Sequence, residues 1–118
     1  MKSIRLEEAP TLQPIKGFNM FIIGDGETMT FIKIIVQPGA VIPEHKHNNE
    51  QIGTCLEGEG ELTSGGETLK VKPGVSWVIP NNEPHSFIAL GDKPVVLTEV
   101  WSPPRKDYLL MAKSRKIV

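Results

Sequence analysis

Three histidines are the whole imidazole supply of this 118-residue chain, and two of them, His45 and His47, stand two residues apart. In an extended stretch entered from Pro43, that spacing sends both rings from one face of a strand. Imidazole suits first-row divalent ions, and two rings on one face can take adjacent coordination positions without backbone strain. Gln51 keeps the same parity, whereas Glu50 points to the opposite face. His85, which follows Pro84 at the start of a strand, completes the candidate ligand set His45, His47, Gln51 and His85. A His-x-His pair taken alone also fits surface or core histidines that bind nothing.

A second group lies downstream. Glu99 and Trp101 are two residues apart on one predicted strand, so an acid/base group and an aromatic wall can line one pocket. Pro103-Pro104 then forms a stiff tether near polyproline geometry that aims Arg105, whose planar guanidinium suits a bidentate grip on a carboxylate. Cys55 reads as a small buried hydrophobe, since no histidine is left to activate it. Lys33, between Phe31 and Ile35 on its own face, reads as an exterior lysine.

The elements that must position these groups are strands. Gly and Pro together supply 21 residues, falling as punctuation every eight to twelve positions in the manner of an all-β sandwich or barrel. Thr28 to Gln37, Gln51 to Leu56, Glu61 to Ser64, Glu67 to Lys72, Val75 to Ile79, His85 to Leu90 and Val95 to Trp101 read as strands, the second to fourth joined as a stack of hairpins. After Ser102-Pro103-Pro104, only Asp107 to Lys113 is suited to a helical turn or two. The expectation is an all-β chain with one domain over 1–118. It is a closed or nearly closed antiparallel β-barrel with its metal-binding core at about 28–101 and a short helical or extended C-terminal tail.

Composition narrows the function classes. Net charge is −1 and the thirteen basic residues are scattered apart from the short run Lys113 to Lys116, so no basic face for nucleic acid is expected. No apolar run approaches the length that spans a bilayer, and the N-terminal residues lack an apolar signal region. One cysteine allows no intrachain disulfide, and a cytoplasmic protein is the default expectation.

Gly39, five residues, His45-Lys46-His47, Gln51 and Gly58 together resemble the first cupin motif, and Gly74, five residues, Pro80 and His85 resemble the second. Three positions depart from that pattern: Gln51 stands where Glu is usual, Asn82 where Gly is frequent, and Ala89 where Asn is frequent. His45 to Gly53, taken with Glu99 to Tyr108, is similar to the small cupins of pectin and alginate degradation, the Ser102-Pro103-Pro104-Arg105 segment being the most specific part. Those proteins open the ring of 4,5-unsaturated monouronates to a linear keto acid.

The resemblance implies a cupin jelly roll with one divalent transition ion per chain, Zn, Ni, Mn or Fe, on His45, His47, Gln51 and His85. It further implies a small acidic sugar as substrate, held by Arg105 and Trp101, proton transfer by Glu99, and a homodimer. The family pattern has Asp at the position of Glu99 and Phe at that of Trp101, so the pocket here is expected to be narrower. The same histidine set also serves metal-dependent oxygenases, and a third option is a non-catalytic cupin that only binds a small acid or sugar.

Overall fold

The structure, a computed structural model, describes residues 1–117, with side chains through residue 112. A single 3-10 turn, Leu6–Glu8, precedes β1 (Thr11–Ile15), β2 (Phe18–Asp25), β3 (Thr30–Val36), β4 (Val41–His45) and β5 (Glu50–Glu57). Then follow β6 (Glu59–Ser64), β7 (Glu67–Val71), β8 (Ser76–Ile79), β9 (His85–Leu90), β10 (Val95–Ser102) and the helix α1 (Lys106–Ile117). Among the described residues the strands form two antiparallel sheets, in the orders β1-β2-β3-β10-β5-β8 and β4-β9-β6-β7. The barrel is thus a two-sheet jelly roll and not one hydrogen-bonded ring.

The period-2 pattern of the strands decides what faces inward. Along β3, Thr30, Ile32, Ile34 and Val36 are buried, and along β10 so are Leu97, Glu99 and Trp101. From the facing sheet come Ile42, Leu62, Val71, Phe87 and Ala89, which join the same core cluster. Lys33 shares the outer face with exposed Phe31, so it lies away from the interior as the sequence indicates.

The seven strands expected from the sequence are all present, but their pairing differs from a stack of hairpins. Of the three strands expected to stack, only β6 and β7 form a hairpin, across Gly65-Gly66; β5 pairs with β10 and β8, while β6 belongs to the other sheet. The chain crosses between sheets at Gly58, whose φ is +82° and where an added Cβ would stand 2.5 Å from the Pro94 carbonyl oxygen. The crossing puts consecutive strands on opposite walls, which is how residues distant in sequence meet inside.

The sequence pattern marks β4 only as an extended stretch entered from Pro43 and leaves β1 and β2 unmarked. β1 and β4 carry Pro14 and Pro43, and each is an edge strand, where a missing N–H costs no interior ladder bond. The helix α1 is longer than the expected turn or two, because Leu109 and Ala112, three residues apart, bury against the barrel as one apolar stripe.

Candidate metal centre

His45 is the last residue of β4 and His85 the first of β9, and the two are cross-strand partners. Their rings meet edge to face with centroids 4.3 Å apart. His47 lies beyond the strand, in the bend that carries the chain to the other sheet; the expected single extended face for both rings is not what unites them. A strand that continued through residue 47 could not change sheets, so the bend supplies the second ring. His47 is 5.8 Å from the His45 ring and 5.1 Å from that of His85. One ring nitrogen from each of the three lies within 4.8 Å of the others.

The remaining ring nitrogens show which lone pairs are free. Nδ1 of His45 faces the Pro43 carbonyl oxygen at 2.8 Å, and Nδ1 of His85 faces that of Glu83 at 2.8 Å. Nδ1 of His47 faces Asn49 Oδ1 at 3.1 Å, and the Asn49 amide is oriented by donating its Nδ2 hydrogen to the Pro103 carbonyl. Each partner oxygen can only accept, so each Nδ1 carries the proton and each Nε2 keeps its lone pair. Burial, reinforced by the nearby charges of His85, Arg105 and His45, pushes His47 down to about 4, and burial likewise lowers His85. Neutral imidazoles with free Nε2 atoms are the form a metal ion needs.

Gln51 and Glu50 divide as strand parity requires: Gln51 is buried at 4% exposure and Glu50 is exposed. Gln51 Nε2 donates to Glu99 Oε2 at 2.8 Å, and Trp77 Nε1 donates to the same oxygen at 3.1 Å. Gln51 Oε1 is buried without a hydrogen-bond partner, a state that costs about 1–3 kcal/mol if nothing satisfies it. An orphan amide oxygen lining one cavity with three imidazoles is a donor set that fits a first-row divalent ion.

Burial pushes the Glu99 carboxyl up to about 6, offset in part by surrounding N–H groups. Trp101 Nε1 lies near enough to favour the charged carboxylate, yet it has no hydrogen-bond partner of proper geometry. Arg105 is held on three sides. Its Nε and Nη2 donate to Asp107 Oδ1 and Oδ2 at 3.1 and 3.0 Å, and its guanidinium stacks 3.9 Å over the Tyr108 ring and 5.3 Å from that of Trp101. Its backbone N–H donates to Thr30 Oγ1. One edge of the fork is therefore filled by Asp107, and Tyr108 also lies close enough to favour the charged guanidinium.

All seven residues singled out in the sequence, His45, His47, Gln51, His85, Glu99, Trp101 and Arg105, line one inner chamber of about 60 Å³. An outer vestibule of about 320 Å³ shares His45, His47, Arg105 and Tyr108 with it. Trp77, Asn49, Asp107 and Tyr108 are additions the structure makes. Asn49, Asp107 and Tyr108 lie inside the two stretches that carry the family resemblance, whereas Trp77 has no local signal, because its role comes from a partner 22 residues away.

A family model described as "Cupin domain" matches residues 32–101. L-ectoine synthase of Vibrio campbellii is 30% identical over 90 residues, covering 75% of this chain and 70% of that protein. The HTH-type transcriptional regulator PuuR of Escherichia coli is 38% identical over 76 residues, 61% of this chain but 41% of the regulator. Among solved structures, KdgF from Halomonas sp. superposes with a TM-score of 0.80 at 25% identity, over 90% of this chain and 98% of that one.

Proposed function

This chain belongs to the cupin family, and from that premise we propose that it is a metal-dependent enzyme that linearises 4,5-unsaturated monouronates to a keto acid. The observation that carries the reading is the convergence in one chamber of a three-imidazole cluster, a buried carboxyl and a guanidinium. The likeness to KdgF, together with the Ser102-Pro103-Pro104-Arg105 resemblance, supports the choice of substrate class.

Ring opening moves one proton off the anomeric hydroxyl and one onto the carbon that becomes a methylene, with no net change in composition. A divalent ion on His45, His47, His85 and Gln51 would supply Lewis acidity toward a ring oxygen, and a neutral amide in place of a carboxylate leaves that site more positive. Arg105 binds the uronate carboxylate through the guanidinium edge that Asp107 leaves open, with Tyr108 and Trp101 as its stacking walls. Glu99 accepts the hydroxyl proton at Oε1, since Oε2 already takes two N–H groups, and returns a proton to carbon. The inner chamber holds only a few water-sized groups, so the sugar spans chamber and vestibule past Arg105.

The test is loss of the unsaturated chromophore with metal-replete protein. No acceleration with either galacturonate- or alginate-derived substrate discards this function. Arg105→Ala should raise KM most, and Glu99→Gln should lower kcat more than binding. A second reading, a small-acid-binding module without turnover, is favoured by the similarity to a transcriptional regulator; saturable binding of the uronate with no product supports it. The proposal includes a cytoplasmic homodimer that covers a sheet edge, and light scattering that shows a monomer at all concentrations overturns the dimer.

A further inference from the structure

A glutamine is an ambiguous ligand. Its amide presents an oxygen or an NH2 group according to one rotation, and only the oxygen can bind a cation. We propose that Glu99 is a positioning residue that settles this ambiguity for Gln51, with Trp77 and Gly53 holding the Glu99 carboxylate where it must be. The inference rests on the metal site proposed above.

The geometry starts from one cross-strand row. Glu99 on β10 is paired with Gly53 on β5, and Gly53 with Trp77 on β8. In the neighbouring row on the same strands, Trp101 is paired with Gln51. Any Cβ at position 53 would stand 2.6 Å from the Trp77 indole, so the glycine is the gap through which the indole reaches across β5 to Glu99. Trp77 Nε1–H then meets Glu99 Oε2 at 3.1 Å, and Gln51 Nε2–H meets the same atom at 2.8 Å.

An ionised carboxylate accepts and never donates, so it can pair only with the NH2 side of Gln51. The Gln51 oxygen is thereby turned away from Glu99, where it is buried and unpartnered. The anionic acceptor on the N–H side also polarises the amide toward its oxygen, making that oxygen a better donor to a cation. The ligand set of three imidazoles and an amide is neutral, and Glu99 places one negative charge a single hydrogen bond behind it.

Zinc titration against a chromophoric chelator tests this without measuring turnover. Glu99→Gln, which keeps size and fold, should weaken zinc binding by about 10-fold, and Glu99→Leu by up to about 100-fold. Trp77→Phe, which removes one donor and leaves the carboxylate, should weaken it less than either. In a Gln51→Ala background, Glu99→Gln should cost nothing further, because its effect runs through the amide. Circular dichroism of each variant establishes that the barrel has folded. If the wild type binds no zinc, the metal reading itself fails. If the wild type binds zinc and the folded Glu99 variants bind it equally well, or the Glu99→Gln loss persists unchanged without Gln51, the positioning role is overturned and the metal site stands.

Discussion

Each imidazole of the cluster keeps one nitrogen for the barrel and one for the cavity. Backbone carbonyls serve two of the rings and Asn49 serves the third, so ring orientation is set before any ion arrives. His47→Ala should therefore lose most bound metal, read by elemental analysis, while far-UV circular dichroism stays unchanged, because the ring hangs from a bend outside the strands. Arg105→Ala should weaken binding of a uronate to the metal-loaded protein by about 10-fold or more, read by calorimetry, since a charge-assisted hydrogen bond contributes roughly 1.5–3 kcal/mol. The residues that could do chemistry were legible in the sequence because their types are scarce: three histidines and one arginine behind two prolines leave few combinations. Asn49, Asp107 and Trp77 were not, since amides, carboxylates and indoles occur widely and acquire a role only from a partner the fold brings near.

Strands rich in β-branched and aromatic residues, such as Thr30–Val36 and Val95–Ser102, declare themselves. The edge strands with a proline do so weakly: β1 goes unmarked, and β4 shows only as an extended stretch whose sheet partner, β9, the sequence does not reveal. Pairing was the harder part, because a turn that changes sheets and a hairpin turn share the same glycine-rich chemistry. Gly58 marks that difference. Alanine there would force a Cβ against the Pro94 carbonyl oxygen and to 2.8 Å from Val95 Cα, at a left-handed backbone angle. Gly58→Ala should destabilise the protein by about 2–4 kcal/mol in urea denaturation, through the positive φ and the backbone clash together.

At the scale of the whole molecule, the apolar core, from Leu12 to Ala112, is continuous across both sheets and owes nothing to an ion. Chelation should therefore leave the strand signal in circular dichroism intact and lower Tm by about 10–20 °C, the loss being only the binding term, about 4 kcal/mol at a thousandfold excess of free metal over Kd. A cooperative transition that vanished on chelation would show that the metal, and not the core, holds the barrel. β10, the last strand among the described residues, lies between β3 and β5 in the larger sheet and carries both Glu99 and Trp101. A chain still being synthesised at Pro94 is consequently not a smaller barrel. It is two half-sheets, β1-β2-β3 and β5-β8, each with a bare inner edge waiting for the same strand. One stretch of eight residues thus supplies a wall of the candidate site and joins the two half-sheets, and until it emerges their inner edges stay open to mispairing.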